Sequence, residues 1–122
     1  MSNLVVSNIS DGTTSVGTGY VVNGSAKAWV NFNQAGTDTI NNSFNVSSLT
    51  DNGTGLTYIN LSSAMAYAGF SLSHSTVVNS SYINAEVTNY PITASQAYFI
   101  SVENGAGYDK TYASCIAHGD LA

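Results

Sequence analysis

Titratable groups are scarce in this 122-residue chain, so the first question is whether any of them could gather into a site. There are seven carboxylates (Asp11, Asp38, Asp51, Glu86, Glu103, Asp109 and Asp120), two lysines (Lys27, Lys110), two histidines (His74, His118) and one cysteine, Cys115. Glycoside hydrolysis needs two carboxylates across one bond. Asp11, Asp38, Asp51 and Asp109 sit in turn-like contexts, where Asp serves the local backbone. Of the remaining three, Glu86 and Glu103 lie in strand-like runs and are the pair to check. Cys115 and His118 have C-x-x-H spacing, but residues three apart on a strand face opposite ways, which argues against a shared metal. Cys115 reads instead as a small buried core residue. No nucleophile elbow, phosphate loop, dinucleotide fingerprint or zinc-protease motif occurs. The expectation is a non-enzyme with no cofactor and no metal.

The loops carry a different chemistry. Thr50-Asp51-Asn52-Gly53-Thr54-Gly55 and Asn104-Gly105-Ala106-Gly107-Tyr108-Asp109-Lys110 combine Asn, Asp, Gly and Tyr. Such residues suit recognition of sugars or polar protein surfaces, since a ring stacks while amides and carboxylates hydrogen-bond. Asp51, Asn52, Thr54, Tyr108, Asp109 and Lys110 are therefore the candidate contact residues. Turn geometry alone also selects the same residue types.

Composition narrows the class. Charged residues are 7% of the chain against about 25% in an average soluble domain, while hydrophobic residues stand at 43%. Ser, Thr and Asn fill the difference, and eight Tyr, four Phe and one Trp argue against disorder. A surface this poor in charge is easily covered by another subunit. The net charge of −5 with two cations excludes an electrostatic nucleic-acid footprint and disfavours anionic membranes. No apolar run is long enough for membrane insertion, and the start Met1-Ser2-Asn3-Leu4 does not read as a secretory signal. The seven N-x-S/T sequons reflect the abundance of Asn, Ser and Thr.

Positioning falls to β-strands. Alternation broken by turn residues predicts strands at Leu4–Ile9, Tyr20–Val22, Ala26–Phe32, Ser43–Leu49, Thr57–Leu61, Phe70–His74, Tyr82–Val87, Tyr98–Glu103 and Tyr112–His118. Only Ser62–Phe70 has any helical character, and it is short. The expected fold is all-β, an antiparallel β-sandwich or jelly-roll-like head over residues 23–122 with an N-terminal extended stem, residues 1–22. Ser43–Leu49 and Thr57–Leu61 form a hairpin through Asn52-Gly53 and Gly55. Ala26, Ala28, Val30 and Phe32 share one face, which puts Trp29 on the nominally polar one. Trp29, with the stem residues Leu4, Val5, Val6 and Ile9, is the candidate subunit interface.

Two runs are distinctive: Asn23-Gly24-Ser25-Ala26-Lys27-Ala28-Trp29-Val30-Asn31-Phe32-Asn33, and Ser43-Phe44-Asn45-Val46-Ser47-Ser48-Leu49-Thr50-Asp51-Asn52-Gly53-Thr54-Gly55. Together with Ser62-Ser63-Ala64-Met65 and the terminal Gly119-Asp120, they resemble the C-terminal, distal module of tailed-bacteriophage fibre proteins. The resemblance is dense from Asp11 to Met65, returns at the C-terminus and is faint from Phe70 to Asp109. It implies a homotrimeric virion component, on a tail or capsid fibre, that contacts other virion proteins and recognises a bacterial surface glycan or protein. A purely structural trimerisation cap or capsid decoration without a ligand is the alternative. A depolymerase using Glu86 and Glu103 is a third.

Overall fold

The computed structural model describes residues 1–76 and 85–122, with 85–91 described by their backbone alone. It is an all-β chain with one short helix. A small hairpin of β1 (Asn8–Ser10) and β2 (Ser15–Gly17) leads into helix α1 (Thr18–Gly24). The remaining strands are β3 (Ala28–Asn33), β4 (Thr39–Phe44), β5 (Val46–Asp51), β6 (Leu56–Leu61), β7 (Ser71–Thr76), β8 (Ala85–Thr93), β9 (Gln96–Glu103), β10 (Ala106–Gly107) and β11 (Ala113–His118). They pair antiparallel in two sheets. One sheet runs β4-β3-β11-β7. In the other, β9 is flanked by β8 on one side and by β6 and the short β10 on the other, with β5 outside β6.

Period-two alternation builds the core. Ala28, Val30 and Phe32 of β3 point inward with Ala113, Cys115 and Ala117 of β11, against Ile59, Leu61, Ala97 and Phe99 of the other sheet. Phe32 and Phe99 meet edge to face at 5.0 Å between centroids, and both are fully buried. The predicted hairpin is present as β5–β6, with Gly53 (φ +112°) and Gly55 (φ +74°) supplying the reversal.

Three expectations are corrected. Tyr20–Val22 lies in α1, not in a strand. Lys27 explains why the helix ends where it does: its ammonium donates to the Val22 carbonyl and, at 2.9 Å each, to Ser25 O and Ser25 Oγ. A cation there satisfies carbonyls that a helix C-terminus leaves open. In the stem, the strand observed is β1, which shares only Asn8 and Ile9 with the expected Leu4–Ile9 strand. Finally, Ser43–Leu49 is not one strand. Asn45 adopts φ +55°, ending β4 in the first sheet and starting β5 in the second. Its side chain holds that corner, donating to Lys27 O (3.0 Å) and Ser63 O (3.2 Å) while accepting from the Ser63 N–H (2.7 Å). Ser62–Phe70 forms no helix, and of the expected Tyr82–Val87 strand the first three residues lie outside the described ones.

Candidate functional site

The two loops singled out by composition pack directly against each other at one end of the sheets. The Gly55 N–H donates to Asp109 Oδ1 at 2.6 Å, and the Tyr108 and Ser101 N–H groups bond to Ser101 O and Gly55 O respectively. A Cβ on Gly55 would strike the Ser101 carbonyl, and one on Gly107 would strike the Thr54 carbonyl, so both glycines are demanded by backbone contact. Asp51, Asn52 and Thr54 are exposed at the tip, and Tyr108 is 38% exposed.

Lys110 is different: it is 2% exposed and forms an ion pair with Glu103. Its ammonium lies 5.0 Å from the centre of the Tyr108 ring, which covers it. As a surface contact Lys110 is therefore corrected to a core cation, and Asp109 is engaged by the Gly55 amide. Burial pushes the Lys110 ammonium below the ordinary lysine range. A buried polar group continues from this pair. Gln34 Nε2 donates to Thr57 Oγ1 at 2.9 Å, while its Oε1 accepts the Lys110 N–H at 3.2 Å and faces the Ser101 hydroxyl at 2.9 Å. Beside it, burial raises the Asp38 carboxyl; the Thr57 hydrogen bond opposes that shift, and the nearby Asp51 and Asp109 charges reinforce it.

Glu103 is thus held by Lys110 inside the protein, away from any saccharide that could occupy the outer surface. The side chain of Glu86 lies outside the described residues; its backbone stands opposite Val102, and Ala85 stands opposite Glu103. Cys115 points inward and His118 outward from β11. Among the described residues no group of three or more His, Cys, Asp or Glu is placed to hold a metal ion.

The candidate interface residues lie elsewhere. Leu4 is 86% exposed and Val5 91%, with Val6 and Ile9 also exposed, as are Tyr20, Val21 and Val22 of α1. Trp29 is half-buried on the outer face of its sheet, in register with Phe44 on β4 and Ile116 on β11. Those two neighbours are exposed, so an apolar row crosses three strands.

The buried Gln34–Thr57–Ser101 group escaped the sequence reading, although the alternation in β9 pointed to it. Ala97, Phe99, Ser101 and Glu103 are all buried, and an inward carboxylate needs a cation from a chain with two lysines. Neither a protein-family model, nor a curated protein, nor a solved structure matches this chain.

Proposed function

We propose that the chain is a trimeric, non-enzymatic fibre component of a bacteriophage virion that recognises the host cell surface, with glycan as the favoured ligand. The head is a β-sandwich of jelly-roll-like character, and the arm is the assembly element. The observation that carries this reading is uncovered apolar surface. Leu4, Val5, Val6 and Ile9 of the arm, Tyr20, Val21 and Val22 of α1, and Phe44 and Ile116 of the first sheet are all exposed, more contiguous apolar surface than a lone soluble domain ordinarily leaves to water.

The arm itself supports assembly. α1 has seven residues, none buried, and no side-chain N-cap, and among the described residues the β1–β2 hairpin has no third strand. Helices and hairpins of that size are marginal without a packing partner. The Phe44–Trp29–Ile116 row offers a second uncovered face. Added to these is the resemblance of residues 11–65 to phage fibre tips.

The test is binding of the purified protein to bacteria susceptible to the parent phage, with competition for adsorption. Labelling and competition support the reading. An assembled protein that neither labels cells nor competes favours the alternative, a structural cap or decoration protein; the exposed row on the first sheet, which could seat another virion protein, is the observation in its favour.

A further inference from the structure

Opposite the loop end, where the chain leaves β6 and β11, lies a groove of about 200 Å³ lined by Asn23, Tyr67, Gly69, Phe70, Gly119 and Asp120. We propose that this groove binds a single residue of a neutral saccharide, stacked on Tyr67 and hydrogen-bonded by Asp120 and Asn23. The proposal rests on the reading of the chain as a glycan-binding module, but places the ligand at the end away from the loops expected to carry it.

The groove is built by backbone. The Ala66 N–H donates to Asp120 O at 2.7 Å, the Ala122 N–H to Ala64 O at 3.0 Å, and Met65 bridges Leu121. These bonds clamp the segment carrying Tyr67 to the one carrying Asp120. Tyr67 itself stays 75% exposed, while Phe70 beneath is buried. Gly119 lets the floor close: a Cβ there would come within 2.9 Å of Phe70 Cβ. Gly69 has open space where a side chain would stand, which lets a ligand approach the backbone. The fourth wall, Asn23, comes from the last turn of α1.

The chemistry selects the ligand class. A pyranose presents an apolar C–H face, which suits an open tyrosine ring, and an edge of hydroxyls, which suits a carboxylate acceptor beside an amide that both donates and accepts. Concave sites with a few convergent polar groups are where small ligands bind. The lining has one carboxylate and no cation, and the chain carries a net charge of −5, so uronic or sialic acids are repelled.

The probes are the methyl glycosides of glucose, galactose, mannose and N-acetylglucosamine, with glucuronate as the anionic control, titrated into the intact protein and followed by amide NMR shifts. At least one neutral glycoside should move the amides of Tyr67, Gly69, Gly119 and Asp120 at millimolar concentration, and glucuronate should not. Tyr67→Ala should weaken that binding about fivefold to tenfold, while Tyr67→Phe keeps it within about twofold. The exposed position of Tyr67 leaves the thermal midpoint of both variants unchanged, so lost binding is not lost folding.

If no neutral glycoside moves these amides, or shifts map to residues 51–55 and 104–110 instead, the proposal is wrong. Glycoside binding in the groove without cell labelling leaves it standing and removes the host-recognition reading. Cell labelling that is undiminished in Tyr67→Ala does the reverse.

Discussion

Replacing Lys110 with methionine tests the interior of the loop end most sharply. The ammonium is 2% exposed, pairs with Glu103 and lies under the Tyr108 ring. Methionine matches the length and volume of the lysine stem, so the substitution removes charge with little change in packing. What remains is a Glu103 residue that is 4% exposed, and its Oε2 already lacks a hydrogen-bond partner among the described residues. Breaking a buried pair from one side costs about 3–5 kcal/mol. For a chain of this length, about 4 kcal/mol lowers the thermal midpoint by about 15 °C. Differential scanning calorimetry at one fixed protein concentration reads it, because an assembling chain would have a concentration-dependent midpoint. The double variant Lys110→Met/Glu103→Leu should regain most of the loss, since two apolar groups of similar volume replace the pair. A Lys110→Met midpoint within about 2 °C of the parent, a shift expected of an exposed site, would refute the buried pair. A double variant no better than the single one would assign the damage to packing instead of charge.

Four further outcomes are expected. Gly55→Ala should cost more than about 2 kcal/mol in denaturant unfolding, because its φ of +74° is combined with a Cβ clash on the Ser101 carbonyl. Gly53→Ala, at φ +112° but with open space, should cost only about 1–2 kcal/mol. Asp38→Asn should stabilise the protein at neutral pH: burial raises this carboxyl, so the parent loses stability as pH rises from the ordinary Asp range through the folded value. The advantage should therefore vanish near pH 3, where both states of the parent are protonated, and unfolding at pH 3 and pH 7 checks it. Light scattering should give a particle three times the 12.7 kDa chain mass, and deletion of residues 1–22 should reduce it to the monomer.

Local rules made part of this molecule readable. The β5–β6 hairpin was visible because positive φ at Gly53 and Gly55 is a demand that few residues meet. The inward face of β3 was visible because Ala28, Val30 and Phe32 alternate cleanly. β4 was missed: Thr-Ile-Asn-Asn-Ser-Phe has no simple alternation, and the register against β3 shifts between Asn31 and Phe32. α1 was missed for the opposite reason. Tyr20, Val21 and Val22 are strand-prone residues, and the contact that caps their helix comes from Lys27, beyond the segment itself. The burial of Lys110 depends on β10 folding back beside β9, which residue types alone do not announce. Of the candidate contact residues, the tip triad of Asp51, Asn52 and Thr54 is at the surface, whereas the groove around Tyr67 depends on the C-terminal segment returning to residues 64–66.

The turn at Asn52-Gly53 has a chemical lifetime as well as a shape. An asparagine followed by glycine can cyclise when the next backbone nitrogen attacks its side-chain carbonyl and releases ammonia; water then opens the cyclic imide and leaves a carboxylic acid where the amide stood. Here the attacking nitrogen is occupied: the Gly53 N–H donates to Asp51 Oδ1 at 3.0 Å. The Asn52 N–H is likewise tied to Leu56 O at 2.9 Å, which holds the turn in one geometry. Attack by the Gly53 nitrogen requires its bond to Asp51 to break first, at a tip where a new carboxylate would join Asp51 and Asp109, whose charges already raise the Asp38 carboxyl.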